Sequence, residues 1–237
     1  MTMNKGTLYL IPSPLGEGPV EAVLPAGVLS ILPSLQCFVV EEVRTARRFL
    51  SAAGLKGHIQ ELEFHTLNEH TTPAETEALV KLFDGGRNVG LISEAGLPAV
   101  ADPGAALVAL CHKAGIKVVP LVGPSSLMLA LMASGLNGQS FAFVGYIPAK
   151  TEERKAALRK LEKRSAAEKQ TQIIIETPYR NDSLMADMVA CLSGSTRICI
   201  AANISCEDEM ILTKSVAQWK NSLPVIGKRP CVFLILG

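Results

Sequence analysis

Val89-Gly90-Leu91-Ile92-Ser93-Glu94-Ala95-Gly96-Leu97-Pro98-Ala99-Val100-Ala101-Asp102-Pro103-Gly104 begins as an apolar run and breaks into a long loop of small, polar and turn-forming residues. Val89 to Ile92 reads as a buried strand. The loop that follows exceeds the roughly 2–6 residues that usually join a strand to a helix, and long loops inside compact domains tend to be functional. Asp102 followed by Pro103 is a helix-start signal, with a side-chain oxygen for orphan N–H groups and a ring that presets φ. A helix is predicted over 105–114. The plan then repeats, with a strand over 116–122, the break Gly123-Pro124, and Ser125-Ser126 opening an apolar helix to Ser134. Two such units side by side place two loops at one sheet edge.

Outward from this stretch the chain alternates. Strands are predicted over 7–11, 37–40, 59–64, 89–92 and 117–122, separated by helical patterns near 21–31, 43–53, 73–84 and 105–114. That order implies a mostly parallel, twisted sheet covered by helices. After about residue 124 come the apolar helix, a strand over 140–146, a highly charged helix over 151–169 and a strand over 171–175. A helix over 181–192, a strand over 197–202, a short helical segment near 215–221 and a strand over 230–236 complete the pattern. The expected fold is therefore α/β, two α/β domains in tandem. Residues 1–122 hold a mostly parallel sheet and 123–237 a more mixed one, with a ligand in the cleft between them.

The balance of 23 Lys+Arg against 22 Asp+Glu gives no global drive toward nucleic acid, so an RNA partner would have to be met by local basic patches. Two such clusters exist. Arg44, Arg47 and Arg48 share one predicted helix, and Lys150, Arg154, Lys155, Arg159, Lys160, Lys163 and Arg164 form a second run interleaved with Glu152, Glu153 and Glu162. Mixed charge of the second kind is as readily a solvated helix face. Aromatic residues are few, and no stacking platform stands out. The six cysteines, at 37, 111, 191, 199, 206 and 231, show no C-x-x-C pairing, which argues for reduced thiols in a cytoplasmic protein and against a disulfide framework or a metal site. Pro12 and Pro14 interrupt the first hydrophobic run, so no secretion signal is expected. Leu121 to Leu136 contains Gly-Pro-Ser-Ser and falls short of the roughly 20 residues that span a bilayer, so no membrane segment is expected.

Several motifs in order resemble the tetrapyrrole methylase superfamily of S-adenosylmethionine-dependent methyltransferases. More narrowly, they resemble the branch that methylates the 2′-oxygen of a cytidine in small-subunit ribosomal RNA. Leu8-Tyr9-Leu10-Ile11-Pro12-Ser13-Pro14-Leu15-Gly16 is similar to that branch's opening strand and Thr-Pro-Ile-Gly loop. Glu41-Glu42-Val43-Arg44 resembles its Glu-Asp-Thr-Arg, and Asn68-Glu69-His70 its Asn/His-Glu-His. The strongest matches are Ser93-Glu94-Ala95-Gly96-Leu97-Pro98 and Ala101-Asp102-Pro103-Gly104, beside Ser-Asp-Ala-Gly-Thr-Pro and Ser-Asp-Pro-Gly. Gly123-Pro124-Ser125-Ser126, Phe143 to Lys150 and Glu176-Thr177-Pro178-Tyr179-Arg180 continue the order. Departures fall where Glu17-Gly18 replace Asn-Leu and Glu42-Val43 replace Asp-Thr, around the expected acceptor site.

The resemblance implies that Ser93, Glu94, Ala95, Gly96, Leu97, Pro98, Ala101, Asp102, Ser125, Ser126 and Thr177 contact S-adenosylmethionine, leaving S-adenosylhomocysteine as product. It places the acceptor side and part of the cofactor site in residues 1–122 and the remainder in 123–237. The chemistry agrees. A zwitterionic amino acid on a sulfonium joined to adenosine needs close backbone approach, which Gly96 permits. It also needs hydroxyls and N–H groups for a carboxylate, which Ser125-Ser126 offer at a helix start. A dinucleotide is disfavoured because Gly16-Glu17-Gly18 lacks the third glycine of G-x-G-x-x-G. Methyl transfer needs alignment of donor and acceptor without a metal, but a ribose hydroxyl must lose its proton. Glu42, Glu69, His70 and Glu94 are candidates for that step, and Glu42 and Arg44 are expected to serve the acceptor. Equally, Glu42 and Arg44 fit a structural pair at a helix start, Glu94 fits a ligand-orienting role, and His70 fits a turn before a capped helix. The implied partners are ribosomal RNA or the small ribosomal subunit and a second copy of the chain in a homodimer. The alternatives are a methyltransferase for a tetrapyrrole or other small molecule, and a cofactor-binding protein without catalytic activity.

Overall fold

Five strands, Thr7–Ile11 (β1), Cys37–Val40 (β2), Glu63–Thr66 (β3), Val89–Ile92 (β4) and Lys117–Pro120 (β5), pair in the order β3-β2-β4-β1-β5, and every pairing is parallel. The molecule is a computed structural model that describes residues 4–237, and it parts into two compact units, 1–125 and 126–237. The break falls three residues beyond the predicted one. Leu121 N–H still donates to Leu10 O (3.0 Å), so the segment after β5 stays tied to the first sheet.

The first sheet is buried on both faces, which is why β2 and β4 read as unbroken apolar runs rather than alternating ones. One face packs Ile11, Phe38, Val40 and Ile92 with Phe49 and Leu50; the other packs Leu8, Val39, Val89 and Leu91 with Leu107 and Cys111. Gly90 is the small residue at the centre, paired with Tyr9 on one side and Phe38 on the other. A Cβ there would stand 2.6 Å from Ile11 Cδ1 and 2.8 Å from Phe38 Cδ1.

The described residues of this unit form four α-helices: Ala26–Leu29 (α1), Val43–Leu50 (α2), Pro73–Ala78 (α3) and Gly104–Lys113 (α4). The helix predicted over 21–31 is shorter because Pro25 has no N–H to give, leaving a 3₁₀ turn at Val20–Ala22 before α1. The strand predicted over 59–64 begins only at Glu63, because 59–61 close a 3₁₀ turn in which Glu61 N–H reaches His58 O (3.0 Å). Helix α3 opens on a capping box between Thr72 and Glu75 and tightens to 3₁₀ over Leu79–Phe83. Helix α2 opens on Glu42, whose two carboxylate oxygens accept from Arg44 N–H (2.9 Å) and Thr45 N–H (2.7 Å).

The second unit opens on helix Ser126–Ser134 (α5) and strand Phe141–Gly145 (β6). Helix Thr151–Glu168 (α6), strand Thr171–Ile175 (β7), helix Asn181–Cys191 (α7) and strands Arg197–Ala202 (β8) and Met210–Ser215 (β9) follow, with helix Val216–Trp219 (α8) and strand Cys231–Leu236 (β10) last. Its order is β6-β7-β10-β8-β9, with β6–β7 parallel and the other pairings antiparallel. Strand β9 was not predicted. It follows a polar turn and pairs only with β8, so packing against its partner rather than its own pattern specifies it. Leu158, Ile174, Leu184, Met188, Ile200, Trp219 and Phe233 form the core beneath α6 and α7. Arg154, almost fully buried, ties those helices through Nε to Asp187 Oδ2 (2.8 Å). Among the described residues no helix is long and apolar enough to cross a membrane.

Two outcomes test this packing. Gly90→Ala forces methyl into a filled core and should lower unfolding free energy by about 1–3 kcal/mol in urea titration; an unshifted midpoint would contradict the close approach of Phe38 and Ile11. Glu42→Ala removes the α2 cap. The two amide N–H groups hold the Glu42 carboxyl below its ordinary value, so its stabilising effect is complete above the unfolded value near 4.5 and disappears as pH falls through the lower folded one. Thermal unfolding should therefore show the variant less stable than the parent at pH 7 and equal to it once both are acid-titrated.

Candidate active site

All five strands of the first sheet run the same way, so their carboxyl ends share one edge, where ligands of open parallel sheets bind. Strand β1 lies between β4 and β5, so the two long loops expected side by side flank the β1 loop instead. The β1 and β4 loops are locked together. Ser13 N–H donates to Gly96 O (2.9 Å) and Gly96 N–H returns to Ser13 O (3.1 Å). The buried Ser13 hydroxyl also donates to Ser93 O (3.3 Å).

The β4 loop has an unusual backbone. Gly96 (φ 76°), Ala99 (φ 66°) and Ala101 (φ 57°) all adopt the left-handed region, which alanine enters only at a cost. Such strain clusters at ligand-binding segments. Asp102 holds the loop's far end: its Oδ1 accepts from Ala99 N–H (3.1 Å) and Gly104 N–H (2.7 Å), so the predicted Asp102-Pro103 helix start stands, with α4 beginning one residue earlier than expected. Ser93, Gly96 and Pro98 are buried, Leu97 and Asp102 are half-buried, and Glu94, Ala95 and Ala101 are exposed.

Glu94 meets a carboxylate that the sequence reading passed over. Its N–H donates to Glu41 Oε2 (3.3 Å), while Glu41 N–H extends the β2–β4 ladder to Ile92 O (3.3 Å). Burial raises the Glu41 carboxyl above its ordinary value; the Glu94 N–H partly opposes this, and the negative charges of Asp102 and Glu94, with a carboxyl–carboxyl hydrogen bond to Asp102, add to it. Glu42 is the opposite case, exposed, doubly hydrogen-bonded and lowered. The signal that distinguishes the two was present in the sequence: Glu41 directly follows a fully buried strand, whereas Glu42 stands at a helix start.

A cavity of about 430 Å³ opens beside this edge, within the range of small-molecule sites. The β1 loop from Ser13 to Gly18 supplies one wall, Thr45, Arg48 and Phe49 of α2 another, and Glu94 a third. The departures Glu17-Gly18 therefore line a cavity rather than a remote turn. Arg44 is exposed on the first turn of α2, and Arg47 lies over the Phe64 ring (5.2 Å). Glu69 and His70 sit in the turn after β3, highly exposed and 3.5 Å apart, with His70 N–H bonded to Asn68 Oδ1 (3.0 Å). Among the described residues no hydrogen bond or ion pair joins them to Glu41, Glu94 or Asp102.

Ser125 is the last residue of the first unit and Ser126 the first of α5. In the second unit, Thr177 N–H donates to Glu176 Oε1 (2.6 Å), which also accepts from Arg180 Nε (2.9 Å). Glu176 thus fixes the half-buried turn that carries Thr177. Cys37, Glu63 and His65 bring ligand-type atoms within 4.8 Å of one another. The Arg87 guanidinium engages Glu63, and burial pushes the Cys37 thiol up to about 11, so the arrangement is an ion pair beside a neutral thiol.

Residues 20–219 match the family model of Tetrapyrrole (Corrin/Porphyrin) Methylases. The chain is 32% identical over 202 residues to ribosomal RNA small subunit methyltransferase I of Escherichia coli O157:H7, covering 85% of this chain and 66% of that protein, just under two thirds of its length. It is 31% identical to the protein of the same name from Haemophilus influenzae, covering all of this chain and 81% of that one. The crystal structure of the methyltransferase CobJ shares the fold, with a TM-score of 0.65 at 16% identity over 98% of this chain and 94% of that one. The protein belongs to the tetrapyrrole methylase family, in the branch of the ribosomal RNA small subunit methyltransferase I proteins.

Proposed function

We propose that this protein transfers the methyl group of S-adenosylmethionine to a ribose 2′-oxygen of small-subunit ribosomal RNA. Family membership supports the methyl transfer, and the relatives' names support the RNA. The observation that carries the reading is Glu41, a partly buried carboxylate at the carboxyl edge of β2 and β4 held by the N–H of Glu94, a residue that lines the cavity.

The β4 loop suits the donor. Gly96, Ala99 and Ala101 give it the left-handed backbone that ligand-binding segments carry, and Asp102 holds that shape through Ala99 and Gly104. Ser93, Glu94, Ala95, Gly96, Leu97, Pro98, Ala101, Asp102 and Ser125 of the first unit, and Ser126 and Thr177 of the second, are the residues we assign to it. When bound, the cofactor supplies a methyl group already activated by its sulfonium.

The chain's own residues must orient the hydroxyl and take its proton, and Glu41 is better suited to the proton than Glu42. A carboxylate whose affinity for a proton is raised is the stronger base, whereas both Glu42 oxygens are spent on the α2 amides. Glu42 therefore positions α2, which carries Arg44 and Arg48, and these two cations are available for the acceptor's phosphates. Glu69 and His70, exposed in their own turn, fit contact with a large acceptor rather than proton transfer. A ribosomal substrate also places the protein in the cytoplasm, in keeping with six free cysteines. Exposed Met132 on α5 and Phe141 and Phe143 on β6 support a homodimer through the second unit.

Labelled methyl should pass from S-adenosylmethionine to unmodified small ribosomal subunits and map to one ribose oxygen; no label, on protein shown to bind the cofactor, would remove the RNA reading. Glu41→Gln should lower kcat by about 10²–10⁴ while leaving cofactor affinity intact. Because Glu41 must be ionised to act and its affinity for the proton is raised, the parent's rate should climb with pH through a midpoint above the ordinary carboxylate value of 4.5. A parent profile flat across that window, or a Gln variant of undiminished rate, would assign the proton to another group.

A further inference from the structure

Tyr179 is among the most exposed large side chains of the molecule, 79% accessible, on the 3₁₀ turn between β7 and α7. The Lys228 ammonium lies 4.9 Å from its ring centroid. The loop that carries Lys228 is fixed against the start of α7. Asn181 Nδ2 donates to Gly227 O (3.0 Å) and Arg229 O (2.8 Å), and Asp182 Oδ1 accepts from Ile226 N–H (2.8 Å). Arg229 Nε closes the same loop on Ile226 O (2.8 Å). Arg229 Nη2 also donates to Val225 O (2.9 Å), so Arg229 braces the loop, and the exposed Lys228 is the cation it presents to the Tyr179 ring.

The segment that carries Lys228 is one-sided in charge. From Met210 to Gly237 the chain carries Lys214, Lys220, Lys228 and Arg229 and no Asp or Glu, in a protein whose overall charge is nearly balanced. Of the carboxylates flanking Tyr179 in the chain, Asp182 on α7 is committed to the loop amides and Glu176, just after β7, to Arg180 and Thr177. The acidic turn Glu207-Asp208-Glu209 between β8 and β9 marks the border of the basic segment; Asp208 accepts from Asn203 Nδ2 and Glu209 from Ser205 N–H. The long helix α6 is different. Along it and at its N-cap, Lys150, Arg154, Lys155 and Arg164 meet carboxylates, and the remaining Arg159, Lys160 and Lys163 are interleaved with Glu152, Glu153, Glu162 and Glu168, as on a solvated face.

We propose that Tyr179, with Lys228, is a stacking platform for an unpaired nucleotide of the RNA substrate, the ring taking a base and the ammonium taking a flanking phosphate. This rests on the RNA reading above and adds to it a contact surface on the second unit. An exposed cation over a ring is a weak pair that a base can replace, since every base has a π-face, and the displaced ammonium is then free to meet a phosphate.

The test compares the full-length parent with Tyr179→Ala, Tyr179→Phe and Lys228→Gln. The readouts are binding of a single-stranded RNA fragment containing the methylated position, over a range of salt, and methyl transfer to unmodified small subunits. Tyr179→Ala should weaken RNA binding about tenfold, with Tyr179→Phe close to the parent, because the ring and not the hydroxyl stacks. Lys228→Gln should lower the dependence of log affinity on log salt by about one. Thermal unfolding and cofactor binding should be unchanged in all three, the substituted side chains being exposed. Tyr179→Ala binding RNA as the parent does would overturn the platform while leaving the RNA reading intact if the parent methylates. A parent that neither binds nor methylates RNA would overturn both, and one that binds through Tyr179 without transferring methyl would uphold the platform against that reading.

Discussion

Two backbone hydrogen bonds between Ser13 and Gly96 decide what the carboxyl edge of the first sheet can be. Strands β1 and β4 are neighbours, and without that bridge their loops would leave the sheet independently. With it, the long β4 loop is pinned near its start by Gly96 and near its end by Asp102. The strained backbone at Ala99 and Ala101 lies between the two anchors, where surrounding structure can hold it. A glycine is needed at 96 because φ is +76° and a Cβ would stand 3.1 Å from Leu15 Cδ2, in the loop that the bridge draws near. The cavity walls from Ser13 to Gly18 and at Glu94 follow from the same clamp.

What the sequence made legible was whatever local chemistry alone determines. Strands β1, β2 and β4 were placed to the residue because short buried runs end at Pro12, at Glu41 and at Ser93, where polarity or proline stops them. Parallel pairing followed from the alternation of strands with helices. The order of strands did not: nothing in β4 or β5 says that β1 will stand between them, since that is settled by which faces bury together. Strand β9 was invisible for the same reason, being half-exposed and specified by its partner β8. The 3₁₀ segments at 59–61 and 79–83 were read as strand or helix because their apolar content matches either period over so few residues.

Glu41 and Glu42 show how far residue identity falls short of chemistry. They are adjacent and of one type, yet β2 carries the first under the edge of the sheet while the second turns to cap α2. Burial raises one and amide hydrogen bonds lower the other, so two adjacent carboxylates differ in their affinity for a proton. The resemblance drew attention to Glu42 and Arg44 as acceptor residues. In the structure Glu42 caps the helix on which Arg44 and Arg48 stand, and it is this contrast that makes Glu41 the proton acceptor in the function we propose.

Charge follows the same logic at longer range. A net charge of +1 is uninformative because the cations are distributed unequally, not because they are few. Helix α6 has the densest run and looks the more obvious RNA surface, but Arg154 is buried against Asp187, Lys150 at its N-cap and Arg164 meet its glutamates, and its remaining cations are interleaved with acids. The sparser segment after Met210 has no acid to neutralise it, and its loop is braced where it meets an exposed tyrosine. Attraction for a polyanion depends on the cations left unneutralised at a surface that can also offer stacking, and by that measure the weaker-looking segment is the stronger one.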